Sequence, residues 1–196
     1  FLKICTTGGL SLPNENPNHT QFTVAEIKAM VAEANAHGSY VAAHAQGLQG
    51  IKNAVEGGVR SIEHGYFMNE EVADQMVAQG TYLVPTAHLT NGRLRRKAED
   101  PASLPEDVIA RSNTVADNLK MAYEKGITIA MGTDAGVAEH GTNAEDLTAL
   151  VDLTGMSPMQ AIVAATQTAS ECNRTDHEVG TLTVGKLADL LIVDGD

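Results

Sequence analysis

The chain has 196 residues, 43% of them hydrophobic and 19% charged, which suits a folded domain with a real core and excludes a disordered segment. A formal net charge of −12 repels phosphate backbones, so nucleic acid is not an expected partner. No apolar run reaches the roughly 18–20 residues of a membrane span, and Cys5 and Cys172 alone make no disulfide framework.

The chain opens on Phe1-Leu2-Lys3-Ile4-Cys5, which reads as a buried strand with no signal peptide before it. The absence of an opening methionine suggests that an upstream segment is missing, and the favoured compartment is the cytoplasm. Thr23-Val24-Ala25-Glu26 fits a capping box, followed by an apolar stripe of Ile27, Met30, Val31 and Ala34. A repeated unit then appears, in which a helix closes on glycine and a short apolar strand follows. The junctions are Gly38 into Tyr40–His44, Gly57-Gly58 into Val59–His64, Gly80 into Thr81–Pro85, and Gly126 into Ile127–Asp134. Asn69 caps a helix over Glu70–Gln79, Pro105 opens one running to about Lys125, and Ser157-Pro158 marks another start.

Two stretches break the rhythm. Thr86–Leu104 holds Asn91-Gly92, Pro101 and the basic cluster Arg93, Arg95, Arg96 and Lys97, and reads as a long loop. That cluster is either a solvated face or a neighbour of an anionic substrate. Gly180–Asp196, with Gly180, Gly185 and Gly195, reads as a β-hairpin leaving the α/β region. The alternation before it predicts parallel βαβ units.

Polar residues collect where those strands end. In a parallel barrel the carboxyl ends of the strands form the catalytic face, and His44, His64 and Asp134 all end strands while Lys3 lies within the first. Each has an ordinary alternative: a hydrogen-bonded structural histidine, an Asx-turn aspartate, a lysine that reaches solvent. Two histidines in successive repeats favour metal ligation, because imidazole nitrogen suits zinc and related metals. Lys3, among Phe1, Leu2, Ile4 and Cys5, is expected to be buried; desolvation then leaves a nucleophilic amine able to form a carbamate with carbon dioxide. His88 either faces the site or is structural, and His19, His37 and His177 sit in polar surroundings away from it.

These residues carry a resemblance. Lys3-Ile4-Cys5-Thr6-Thr7-Gly8-Gly9, Ala43-His44-Ala45, Ser61-Ile62-Glu63-His64-Gly65 and Gly132-Thr133-Asp134-Ala135-Gly136 resemble strands four, five, six and eight of the amidohydrolase superfamily. The likeness is to its prolidase-like, Xaa-Pro dipeptidase-like branch, related to imidazolonepropionase. It continues through His140-Gly141-Thr142-Asn143, Gly155-Met156-Ser157-Pro158 and Gly185-Lys186-Leu187-Ala188-Asp189-Leu190. It implies an α/β fold: a partial (β/α)8 barrel, strands four to eight, over 1–179. The segment 180–196 would be a β segment of a small accessory sandwich, poorly packed or paired with another copy.

The resemblance also implies chemistry. Carboxylated Lys3 would bridge two divalent metals, expected to be zinc, with the carbamate made from carbon dioxide. His44 and His64 would hold the more exposed metal. Asp134 would bind the buried one and act as general base for attack of a metal-bridging water on an amide or peptide bond. His140 and Gln46 would lie against a small peptide-like substrate of a dipeptidase or N-acyl amino acid hydrolase, in a homo-oligomer. Gln46 departs from the tyrosine or histidine of many relatives, and the His-x-His pair of strand one has no counterpart. Two alternatives stay open: a mononuclear deaminase or imidazolonepropionase-like enzyme, and an inactive, self-associating fragment.

Overall fold

Four short strands, each followed by a helix, make the sheet. They are Leu2–Cys5 (β1), Val41–Ala45 (β2), Ser61–His64 (β3) and Tyr82–Val84 (β4), all parallel and ordered β1-β2-β3-β4. The computed structural model describes residues 1–10 and 14–194. Helices α1 (Val24–Ala36), α2 (Leu48–Gly57) and α3 (Glu70–Gln79) connect consecutive strands. Then come α4 (Ala87–Glu99), α5 (Glu106–Glu124), α6 (Glu145–Thr154), α7 (Pro158–Ala165) and α8 (Gln167–Asn173). This is the open parallel arc of a partial barrel.

Local signals set the helix starts. The Thr23 side chain accepts from the Glu26 amide while Glu26 accepts from the Thr23 amide, and Ser157 and Gln160 repeat the arrangement with Pro158 at the first helical position. Asn69 accepts from the Val72 amide, and Glu70 and Glu71 place negative charge at the positive end of α3. The junction glycines Gly38, Gly58, Gly80 and Gly126 all adopt positive φ. Behind the sheet lies one core that joins Ile27, Ile51, Val55, Ile62, Met76 and Leu83, all at 0–1% exposure. At the amino-terminal end of β3, Arg60 lies over the Tyr40 and Tyr82 rings and donates to the carbonyls of Glu171 and Cys172, tying α8 to the strands.

The structure corrects four expectations. Thr86–Leu104 is not a loop: α4 occupies most of it, with Asn91-Gly92 in its middle. Packing explains this, since α4 lies against α5 and α6, and Asn91 and Arg95 both donate to the Asp152 carboxylate on α6. Second, Ile127–Asp134 is a strand only in outline. Thr128 and Ala130 exchange backbone hydrogen bonds with Leu83, one bridge in all, and Met131 turns to the Ala164 carbonyl. Third, the hairpin over Gly180–Asp196 does not form: residues 180–194 hold no strand, and Gly195 and Asp196 lie outside the described residues. Leu182, Val184, Leu187, Leu190, Leu191, Ile192 and Val193 are exposed along that segment. Fourth, Lys3 is exposed: it lies on β1 at the edge of the described sheet, with only β2 beside it.

No described helix is long and apolar enough to cross a membrane. Cys5 is exposed and Cys172 buried, both as free thiols.

Close backbone approaches fix the loop that overhangs the strand ends. A Cβ on Gly8 would meet the Asn16 backbone at 2.8 Å, and one on Gly47 would drive into the Pro17 carbonyl. Gly92, in contrast, has open space at its Cβ position and sits inside a helix. Gly47→Ala should therefore destabilise the fold by about 1–3 kcal/mol through forced displacement of that loop. Gly92→Ala should stabilise it by up to about 1 kcal/mol through helix propensity. Thermal melts check the pair, and shifts of the same sign would contradict the packing described.

Candidate active site

Parallel register does the first work at the strand ends. Cys5 stands opposite His44, and Ala45 stands opposite His64, so the two histidines rise from neighbouring strands at nearly the same height. Their rings meet edge to face, with centroids 4.6 Å apart. His64 closes β3 with φ 71°, a left-handed conformation that a non-glycine residue adopts only under constraint.

That constraint is visible in the hydrogen bonds. The Thr86 hydroxyl donates its only proton to the Pro85 carbonyl at 2.7 Å. With its proton on that carbonyl, it accepts from its two other partners, His64 Nδ1 at 3.0 Å and the Tyr66 hydroxyl at 2.9 Å. In that arrangement His64 carries its proton on Nδ1 and its lone pair on Nε2. This is the arrangement that orients a metal-ligating imidazole from behind. Burial, helped by the charges of His44 and Lys3, drives the His64 pKa down to about 3, so the ring is neutral at working pH. Burial lowers the His44 pKa as well; hydrogen bonding to the Gly8 backbone and the charges of Glu15 and Asp134 oppose it.

The other sequence-derived residues fall unevenly around this pair. Lys3 is exposed on β1, close enough for its charge to depress both histidines. Asp134 is exposed, has φ 53°, and makes its field felt at both His44 and Tyr66. Lys3 and Asp134 thus act on the histidine pair through their charges, and no described hydrogen bond joins either to it. Gln46, two residues beyond His44, is buried, and its side-chain oxygen Oε1 has no partner among the described residues. His140 lies exposed on the loop after Asp134, and no described hydrogen bond ties it to the histidine pair.

Sequence reasoning missed Thr86, Tyr66, Glu15 and Asp146. None belongs to a recognisable motif, and Thr86 opens a stretch whose residues read as a loop. His88 does not turn to the rim. Its backbone N–H and ring Nδ1 both contact Asp146 Oδ1, at 2.8 and 3.1 Å, and Asp146 is fully buried. Burial raises the Asp146 pKa against those hydrogen bonds. His19, His37 and His177 are exposed.

The donor set fits a metal in part. Two adjacent imidazoles, one with Nε2 fixed as an acceptor, and a nearby carboxylate suit a zinc-type cation. Among the described residues no three His, Cys, Asp or Glu side chains are grouped closely enough to hold one. A modified lysine or ligands from elsewhere would have to complete the set.

The model of the amidohydrolase family matches residues 1–196, the whole chain. The chain belongs to the amidohydrolase family. An ochratoxinase of Aspergillus niger is 35% identical over 172 residues, 86% of this chain and 35% of its own length. Among solved structures, a Xaa-Pro dipeptidase with methionine bound in its active site superposes with a TM-score of 0.85 at 40% identity, over 99% of this chain and 48% of that one. A prolidase complexed with N-methylphosphonate-L-proline gives 0.81 at 29% identity, over 98% and 47%. An imidazolonepropionase of Symbiobacterium thermophilum is 29% identical over 177 residues, 88% of this chain and 37% of its own length. The chain thus spans less than half the length of these relatives.

A pH dependence follows from the neutral His64. Its folded pKa of about 3 lies below the unfolded value near 6.5, so between these pH values the unfolded chain binds the extra proton. Stability of the metal-free protein should be complete above about pH 6.5 and fall by a few kcal/mol on acidification toward pH 3. Replacing His64 with Gln should flatten that slope in urea titrations run across the range. An unchanged slope would place the acid sensitivity elsewhere.

Proposed function

We propose that this chain contributes Lys3, His44, His64 and Asp134 to a hydrolase of C–N bonds that acts on dipeptides or N-acyl amino acids. The observation that carries the reading is the His44–His64 contact at 4.6 Å, with the Nε2 lone pair of His64 set by Thr86. The likeness to a Xaa-Pro dipeptidase, a prolidase and an ochratoxinase supports the substrate class.

In this reading His44, His64, Asp134 and Lys3, as its carbamate, would be the residues that hold divalent ions. Bound ions of this kind supply a water of lowered pKa and polarise the scissile carbonyl. The protein's own part is positional and protonic. His64 stays neutral and keeps its lone pair throughout the working pH range, since protonation waits until about pH 3. Thr86 and Tyr66 hold the ring. The Asp134 carboxylate, exposed to the rim, accepts a proton from the attacking water and returns it to the leaving amine. Gln46 Oε1, buried and unpartnered, receives an N–H of the substrate. His140, exposed on the loop after Asp134, would lie near the substrate in this reading.

A second reading has its own observation. The run of exposed apolar side chains from Leu182 to Val193, together with the incomplete ligand set, favours a folded, inactive, self-associating form. Concentration-dependent assembly with no bound metal, read by sedimentation, would mark it.

The discriminating experiment uses protein of the relatives' full length, loaded with zinc and assayed against a dipeptide library. Two metals per chain are expected. Lys3→Ala should lower turnover by more than about 100-fold, beyond the cost of losing a partner behind a ligand. Undiminished turnover in that variant would remove the carbamate role, and one metal per chain would favour the mononuclear, deaminase-like alternative.

A further inference from the structure

A helix that begins on threonine, asparagine or serine commonly closes its first turn with that side chain. Helices α1, α3 and α7 do so: Thr23, Asn69 and Ser157 each accept from an amide of their own first turn. Helix α4 also begins on threonine, yet Thr86 makes no such bond. Its backbone is left-handed, at φ 49°, where the other three caps are extended. Its hydroxyl is engaged instead by the Pro85 carbonyl, His64 and Tyr66. The side chain that would cap α4 is thus spent behind the imidazole, and the free amides of α4 need another acceptor.

Asp146 supplies it from a different helix, 58 residues along the chain. It is the second residue of α6 and fully buried. Its Oδ1 accepts from the His88 backbone amide at 2.8 Å and from the His88 ring Nδ1–H at 3.1 Å. His88 is the second residue of α4, a position whose amide an N-cap side chain ordinarily takes. Burial raises the Asp146 pKa, and hydrogen bonds from the His88 amide, the His88 ring and the Ala87 amide oppose that rise. Adhesion alone does not call for a buried carboxylate. Helices α4 and α6 already pack together and bury Ala87, Ala149 and Leu150 in the common core, and an apolar contact serves that purpose as well. What an apolar side chain cannot do is accept from an amide. Asp146 Oδ2 has no partner among the described residues, so the buried group acts through Oδ1.

We propose that Asp146 is a positioning residue: by capping α4 in place of Thr86, it leaves the Thr86 hydroxyl free to set the His64 tautomer. Without that carboxylate the left-handed Thr86 relaxes to the extended backbone of an ordinary cap. Its hydroxyl then turns to the amides of α4, and His64 Nδ1 loses its acceptor. This rests on the ligand role of His64 in the hydrolase reading above, and adds to it a side chain that touches neither metal nor substrate.

The test reads the His64 ring by nitrogen-15 NMR in metal-free protein of the relatives' full length, then zinc affinity by competition with a chelator. Asp146→Ala should replace the single Nδ1–H tautomer with averaged ring-nitrogen shifts and weaken zinc binding by about 10- to 100-fold. Asp146→Ser, whose oxygen sits on a shorter side chain, should behave in the same way and serves where the alanine variant does not fold. Asp146→Asn keeps an oxygen in the Oδ1 position and should restore the tautomer and most of the zinc affinity. Ile27→Ala is the control for stability: it opens the core under α1, which packs on α2 and β2, and should lower Tm with the tautomer and zinc affinity unchanged. A tautomer that survives Asp146→Ala, or that Ile27→Ala disturbs as much, would overturn the proposal and reduce Asp146 to a stabilising contact. An asparagine variant that behaves like the alanine one would overturn it too. A tautomer lost in Asp146→Ala and kept in Asp146→Asn, in protein that binds no zinc, would leave this proposal standing and overturn the hydrolase reading.

Discussion

A single hydroxyl proton governs the candidate site. Thr86 can donate once, and with that proton on the Pro85 carbonyl the other groups that touch its oxygen donate to it. That requirement fixes the His64 tautomer, positions the Tyr66 phenol, and leaves an imidazole lone pair at the end of β3. Thr86 itself stands at φ 49°, so three non-glycine residues of the rim, His64, Thr86 and Asp134, are held in left-handed backbone. Strain of this kind persists only where surrounding packing imposes it, and here it lies where the polar groups meet.

The packing that imposes it is the parallel sheet and its helical backing. Register between β2 and β3 brings His44 and His64 into ring contact, and α4 begins immediately after Thr86, with His88 at its start bonded to the buried Asp146 of α6. The His88–Asp146 pair is thus a structural tie between helices. It keeps the first turn of α4, and hence the Thr86 hydroxyl, in place behind the rim.

Much of this was legible in the residues themselves. Helix-closing glycines, the capping boxes at Thr23 and Ser157, and histidines at the ends of successive apolar runs are local signals, and local physics decides them. What escaped depends on distant partners. Asn91-Gly92 looks like a turn until Asp152, some sixty residues later, accepts from Asn91 and Arg95 and makes the segment helical. Lys3 looks buried because its sequence neighbours are apolar, yet alternation along β1 turns Ile4 inward and leaves Lys3 and Cys5 exposed. The run of Leu190–Val193 has strand character but no strand beside it, and a β segment without a pairing partner gains no ladder. The roles of Thr86 and Tyr66 had no signature, because a hydroxyl that orients another ligand is recognised only by where it sits.

The most direct measurement is nitrogen-15 NMR of the His64 ring in metal-free protein, followed by zinc titration. The account predicts a protonated, pyrrole-type Nδ1 and a pyridine-type Nε2 down to about pH 3, with Nε2 the nitrogen that shifts when zinc is added. A ring protonated on Nε2, or one that zinc leaves unchanged, would contradict it.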